Sequence, residues 1–278
     1  MQLQKDNFIP NFFYFYIFIE LIGDYLLGII GGSGVYEITD LADSVEVKTV
    51  STEYGSVDVS ILEIDSKKVA FISRHQLGHK TPPHMINYKA NIQALKNCGV
   101  NQIIATSAVG SINLEMPPGT FVLVDDFLDF TVLRDRTFYD NEVRHIDMSE
   151  PYCPRLRELI LSCSDEKETI IDHGTYVCTE GPRFETSAEI KMFQIVGGDV
   201  VGMTGLPEVV LAREKEICYQ TICIVSNFGT SISENKLTFE EVAEIMEEKK
   251  EALLTLLHNI ILKLDEDFEC DCLNALSD

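Results

Sequence analysis

Short apolar runs of strand length alternate along the chain with longer amphipathic stretches. Runs of five to nine residues rich in Val, Ile and Phe predict strands at 26–30, 57–64, 68–73, 102–109, 120–128, 175–179, 199–203 and 221–227. Apolar residues at helical spacing predict helices at 87–99, 153–163, 186–196 and 207–217, and a long C-terminal helix over about 239–264. Two helix starts have a chemical cause. Thr186 with Glu189, and Thr238 with Glu241, match a capping box, in which hydroxyl and carboxylate satisfy free backbone N–H groups reciprocally. Pro207 suits a first helical turn, and Gly99 and Gly197-Gly198 suit helix ends. No repeat or low-complexity linker interrupts the alternation. The expected fold is a single α/β domain, a mixed twisted β-sheet surrounded by helices, over residues 28–264.

Composition narrows the partners. The 278 residues are 45% hydrophobic, enough for one sizeable core, and carry a formal charge of −23. Such acidity argues against binding a nucleic-acid backbone, so an anionic ligand would need a local cluster of donors. The eight cysteines, at 98, 153, 163, 178, 218, 223, 270 and 272, are scattered and mostly sit in apolar runs. They read as buried free thiols of a reducing cytoplasm. Cys270-Asp271-Cys272, in the acidic tail 265–278, is the one close pair, and two ligands alone make a poor metal site. His75 and His79 have the spacing of a helical zinc pair, but Gly78 and the strand before them argue against a helix, and no metal site is assigned.

Residues 1–27 form a separate extension. Its run 8–23 is aromatic and apolar, short for a membrane span, and has neither a basic start nor a small-residue cleavage site. It reads as a helix packed on the domain or a partner, as a weak membrane anchor, or as the product of an upstream start. The third is favoured for residues 1–26, and no membrane partner is expected.

Candidate chemistry gathers at the predicted strand ends. GIIGGSG (28–34) lacks the dinucleotide spacing, since the last glycine position falls on Glu37, yet a glycine-rich turn with Ser33 can cradle a phosphate. SRHQLGHKTPPH (73–84) offers Arg74, a planar fork for phosphate oxygens, with His75 beside it. ATSAVGS (105–111) and MTG (203–205) add Ser107 and Thr204. In an α/β sheet such ends converge on one crevice. Each residue alone is also an ordinary turn or core residue; the case lies in their convergence as a metal-free phosphate site. Glu185, in TEGPRFETSAEI (179–190), and Asn227, in CIVSNFG (223–229), suit the edge of a 6-oxopurine: the carboxylate accepts from a ring N–H, and the amide donates and accepts. Phe184 could stack on the ring or serve only the core.

Taken together, GGSG, SRH, HMINYKANIQALK, SAVGS, EGPRFET and VGMTGLPEVVLARE resemble, in order, the blocks of the purine nucleoside phosphorylase and methylthioadenosine phosphorylase family, from about Gly28 to Leu264. The resemblance implies a homotrimer or homohexamer. It also implies phosphate at Ser33, Arg74, His75, Ser107, Ala108 and Thr204, ribose at Met203, and nucleoside contacts at Phe184, Glu185, Asn227 and Gly229. Phosphate is a co-substrate there, and no cofactor is expected. Adenine-specific members carry Asp at the position of Asn227 and a small residue at that of Glu185; the 6-oxopurine members carry Glu and Asn, as this chain does. Phe239 stands where nucleoside-specific members place a histidine, and an apolar residue there favours a thioether over a hydroxyl. The expected reaction is reversible phosphorolysis of S-methyl-5'-thioinosine to hypoxanthine and 5-methylthioribose 1-phosphate. Glu185 and Asn227 would be the catalytic pair, and Glu185, Asn227 and Phe239 would set specificity. The alternatives are a general inosine and guanosine phosphorylase, a methylthioadenosine phosphorylase, and a non-catalytic nucleoside sensor.

Overall fold

The structure, a computed structural model, describes residues 27–32, 35–76, 80–165, 168–233, 238–265 and 268–276. The segment 1–26, Ser33 and His79 lie outside the described residues, as does the side chain of Phe239. The strands are β1 (Leu27–Gly31), β2 (Ser44–Thr52), β3 (Gly55–Ile64), β4 (Lys67–Ser73), β5 (Gln102–Ser111), β6 (Phe121–Leu123), β7 (Asp126–Phe130), β8 (Ile170–Ile171), β9 (Thr175–Thr179), β10 (Val200–Gly202) and β11 (Cys218–Phe228). The helices are α1 (Tyr88–Asn97), α2 (Pro154–Ser162), α3 (Ser187–Ile195), α4 (Glu208–Glu214) and α5 (Phe239–Lys263). Among the described residues no helix is long and apolar enough to cross a membrane.

Among the described residues, the eleven strands join one mixed sheet, in the order β2-β3-β4-β1-β5-β10-β9-β7, with β11, β6 and β8 branching from β5. The middle is parallel: β5 runs with β1 and with β11, and β1 runs with β4. Both faces of these strands are covered, so their sequences read as continuous apolar runs. On β11, Tyr219, Cys223 and Val225 join the core beneath α1 and α4, where Ile92, Leu95, Val209 and Leu211 lie. The intervening Cys218, Ile222 and Ile224 join the core beneath α2 and α5, with Leu156, Ile160, Leu257 and Ile260. The capping box of α3 forms as its sequence requires: Glu189 N–H donates to Thr186 Oγ1 at 3.2 Å, and Thr186 N–H donates to Glu189 Oε2 at 2.8 Å. At α5, Glu241 N–H donates to Thr238 Oγ1. Gly99 and Gly197 end α1 and α3 at φ of 82° and 91°, where a side chain would be strained.

Three expectations change. The apolar run 120–128 is two strands, because Asp125 and Gly174 exchange hydrogen bonds (Asp125 N–H to Gly174 O, Gly174 N–H to Asp125 Oδ1) and turn the chain from β11 toward β9. The helix expected at 207–217 stops at Glu214, and the chain turns through Glu216 at φ 54° into a strand that starts at Cys218 rather than 221. β2 is an additional strand: it is an edge strand with Val45 and Val47 exposed, so it has no apolar alternation to reveal it.

Candidate active site

The sheet itself opens the crevice. β11 lines one side of β5 along its whole length. On the other side β1 pairs only with residues 103–105, and β10 pairs with 110 and 111 in the opposite direction. The chain leaving β1 at Gly31 and the chain leaving β10 at Gly202 therefore face each other over residues 106–109. This corrects a picture in which all donors sit at strand C-termini. Ser107 lies mid-strand, and Thr204 reaches it because β10 is antiparallel to β5. The principle of a crevice where neighbouring strands part still holds.

The crevice has a volume of about 480 Å³ and is lined by Arg74, His75, Ser107, Ala108, Phe184, Glu185, Met203, Thr204, Asn227 and Gly229. Every described side chain or glycine expected at the site is therefore in one place. Gly32, Lys80, Pro82, Pro83, Gly110, Ser226 and Val242 complete much of the wall.

At one end stand anion donors. Arg74 is buried, with Nε donating to Glu208 Oε2 at 2.8 Å, Nη2 to Glu208 Oε1 at 2.6 Å and Nη1 to Thr106 O at 2.8 Å. Three of its five N–H groups are thus held by the protein, which leaves two for a ligand. Burial alone would lower the guanidinium pKa, but the Glu208 carboxylate outweighs it and holds the group above its ordinary range. Gly32 passes so close to Thr106 that a Cβ would stand 2.9 Å from its carbonyl oxygen and 3.2 Å from Arg74 Nη1, so only glycine fits this turn. Gly32 N–H donates to Thr106 Oγ1 at 3.1 Å. Ser107 Oγ and Thr204 Oγ1 are 3.3 Å apart. Behind them the phenol of Tyr176 lies 3.3 Å from Ser107 Oγ and accepts from the N–H groups of Thr204 and Gly205. Its hydroxyl occupies the space a Cβ at Gly202 would take, 2.1 Å away. His75 Nδ1 sits 2.8 Å from Thr81 O, which orients the ring.

At the other end are a carboxylate and an amide. Glu185 is buried at 8% exposure, and Thr179 Oγ1 donates to its Oε1 at 2.6 Å. Burial raises its pKa, with the Thr179 hydrogen bond working against the shift. Asn227 is buried too. Ser226 Oγ donates to its Oδ1 at 2.8 Å, and its Nδ2 donates to Phe228 O at 2.8 Å, leaving one N–H for a ligand. A bulge between Val225 and Asn227 places Ser226 outside the ladder with β5. Such a bulge re-aims the next side chain. Gly110 gives it room, since a Cβ there would lie 3.1 Å from Asn227 Nδ2. Phe184, at 45% exposure, lies against the opening.

Glu208, Tyr176 and Ser226 are the supporting residues that the sequence reading missed. Glu208 was visible only as one acidic residue within VGMTGLPEVVLARE, residues 201–214. A helix-start carboxylate there has an ordinary explanation in the helix dipole, so nothing local separated it from the rest.

A crevice with anion donors at one end and hydrogen-bonding groups for a planar ring at the other, set in this branched sheet, is that of an enzyme handling a small polar substrate. The chain belongs to the phosphorylase superfamily, whose profile matches residues 26–262. A protein of Methanothermobacter thermautotrophicus, named "Probable S-methyl-5'-thioinosine phosphorylase", is 52% identical over 90% of this chain and 89% of its own length. The 6-oxopurine nucleoside phosphorylase of Pyrococcus furiosus is 49% identical over 90% of this chain and 97% of its own. Among solved structures, a methylthioadenosine phosphorylase from an antarctic soil metagenomic library superposes with a TM-score of 0.85 at 30% identity, covering 92% of each chain. The chain is thus a purine nucleoside phosphorylase-type pentosyltransferase with the fold of that family.

Proposed function

We propose that this protein carries out the reversible phosphorolysis of S-methyl-5'-thioinosine, giving hypoxanthine and 5-methylthioribose 1-phosphate. The observation that carries the base assignment is the burial of Glu185 and Asn227 in the crevice that also holds Arg74, Ser107 and Thr204. An ionised Glu185 accepts the N1 proton of a 6-oxopurine and has nothing to accept from adenine, which lacks that proton. A buried group left unpaired by the wrong base is the strongest available form of discrimination. The free N–H of Asn227 donates to the base at N7 or O6.

Phosphate is held by Arg74, His75, Ser107, Thr204 and the backbone at Ala108, with Ser33 and the glycine-rich turn as further donors. It attacks C1' as the glycosidic bond loosens toward an oxocarbenium-like state. The departing purine gains negative charge, which Asn227 stabilises at N7. Positioning and electrostatic preorganisation supply the rate, with no covalent enzyme intermediate. Met203 and Gly229 bound the sugar and base, and Phe184 stacks on the ring.

For the 5' end, Val242 is the supporting observation. It lines the crevice from the first turns of α5. An apolar wall there suits a methylthio group. The name of the Methanothermobacter relative agrees with this reading, and that of the Pyrococcus relative supports a second one, in which inosine and guanosine are the substrates. The active enzyme is a cytoplasmic homotrimer or homohexamer in this proposal. The test is hypoxanthine release from methylthioinosine, inosine and methylthioadenosine, with and without phosphate. Phosphate-dependent cleavage that favours methylthioinosine supports the proposal. Preference for inosine keeps the base reading and discards the 5' one, whereas preference for methylthioadenosine overturns the base reading.

A further inference from the structure

Four cysteines that this chemistry leaves unused meet at one point. Cys153 immediately precedes α2, Cys218 is the first residue of β11, and Cys270 and Cys272 flank Asp271 in the C-terminal segment. Their four Sγ atoms all lie within 4.8 Å of one another, with Cys153 and Cys270 at 3.6 Å. Cys153, Cys218 and Cys272 are buried, and Cys270 is half-buried. A tetrahedral thiolate site with metal–sulfur bonds of about 2.3 Å has sulfur–sulfur edges of ~3.8 Å. The cluster is already close to that size. The other four cysteines take no part in it.

Arg213 is the second, independent observation. It is 9% exposed, and its Nη1 donates to Cys272 Sγ at 3.2 Å. Among the described residues no carboxylate forms a salt bridge with it, and Asp147 acts on it only from beyond that range. A guanidinium taken out of water calls for an anionic partner, and a neutral thiol is a weak acceptor. Four thiolates around a divalent cation carry a net charge of −2, which answers that need.

We propose that Cys153, Cys218, Cys270 and Cys272 bind one thiophilic divalent cation of the zinc class. Binding releases four protons, one from each thiol, and leaves a closed site with no open coordination position. Arg213 is its outer partner, hydrogen-bonded to one sulfur. The site is structural. Cys218 begins the strand that ends near Asn227, so the metal sits at the far end of β11 from the crevice. It clamps the C-terminal segment, where Arg155 also stacks over Phe268 at 3.8 Å, onto α2 and β11.

The test uses the full chain purified with reductant, loaded with zinc chloride alone and desalted. About one zinc per chain is expected for wild type and for Cys98→Ser, and less than about a tenth of that for Cys270→Ser/Cys272→Ser. Should the double variant fail to fold, wild type loaded with cobalt(II) reads the site directly, through the intense visible absorption of a tetrahedral thiolate complex. Folded, reduced wild type that retains no zinc overturns the proposal, as does a cobalt spectrum without thiolate character. Metal-free protein whose intact mass shows two disulfides among these four cysteines overturns it as well, by assigning them to crosslinks.

Discussion

The ion pair between Arg74 and Glu208 is the sharpest point of contact between stability and function, and Glu208→Gln tests it. Both side chains are almost wholly buried, at 1% and 0% exposure. Glu208 accepts twice from Arg74 and once from Tyr219 Oη, at 2.7 Å. Glutamine keeps the volume and one accepting oxygen. Its amide nitrogen, however, would face an Arg74 N–H, donor against donor, and the guanidinium would lose its countercharge. Removing one partner of a buried pair costs 3–5 kcal/mol as a rule, and the retained shape and oxygen put this case near about 3 kcal/mol. At roughly 2–4 °C per kcal/mol for a domain of this size, Tm should fall by about 6–12 °C. High salt should not mimic the effect, because the pair is shielded from solvent ions. Arg74 would also lose the anchor that fixes its two free N–H groups toward the crevice, so KM for phosphate should rise roughly tenfold or more while KM for the nucleoside changes little. Calorimetry and phosphate-dependent steady-state kinetics read the two effects. A Glu208→Gln protein with a Tm within 1–2 °C of wild type and an unchanged phosphate KM would refute the reasoning, since it would show that neither the fold nor Arg74 depends on this carboxylate.

Three further outcomes follow from the same geometry. Asn227→Asp should cut turnover of 6-oxopurine nucleosides about a hundredfold, since it replaces a donor at the leaving base, and should admit 6-aminopurines; unchanged selectivity would sink the base reading. Glu185→Gln should lower kcat/KM for methylthioinosine roughly 10- to 100-fold, the worth of a hydrogen bond to a charged group. The same change should not lower the Tm of the ligand-free protein. The Glu185 carboxyl is raised in the folded state, so its ionisation opposes folding as pH rises through that range, and a neutral amide removes the cost; a large loss of Tm would contradict this. Glu189 is pulled down to about 2 by the Arg183 side chain and the Thr186 N–H. Its contribution is thus present above pH ~4.3, the unfolded value, and is lost as pH falls toward 2. Being partly exposed, it should be worth only about 1 kcal/mol, seen as loosening of α3 in amide exchange at acid pH and absent in Glu189→Gln.

The supporting residues share one logic. Three crevice groups are each held by a buried polar partner. Glu208 holds Arg74, Tyr176 holds Thr204 against Ser107, and Ser226 holds Asn227. Such partners fix geometry before a ligand arrives, which is how electrostatic preorganisation gains rate.

Local chemistry by itself determined a good deal of this protein. Periodicity placed the central strands and the five α-helices of the described residues to within a few residues, because apolar spacing and capping residues act over one or two turns of chain. Residue type offered Arg74, Glu185 and Asn227 as candidates, a planar fork, a carboxylate and a two-way amide, and the structure brings all three to one crevice. Tertiary structure decided the rest. The antiparallel entry of β10 beside β5 sets Thr204 against Ser107, and strand direction is a property of the sheet, not of the run VVG. The Ser226 bulge and the pairing of Arg74 with Glu208 depend on contacts between residues far apart in the chain. The four thiols make the plainest case. The sequence shows one close pair in an acidic tail, while only the packing of that tail on α2 and β11 brings Cys153 and Cys218 to it. Local patterns encode elements, and sites arise where elements distant in sequence are forced together by the burial of their apolar faces.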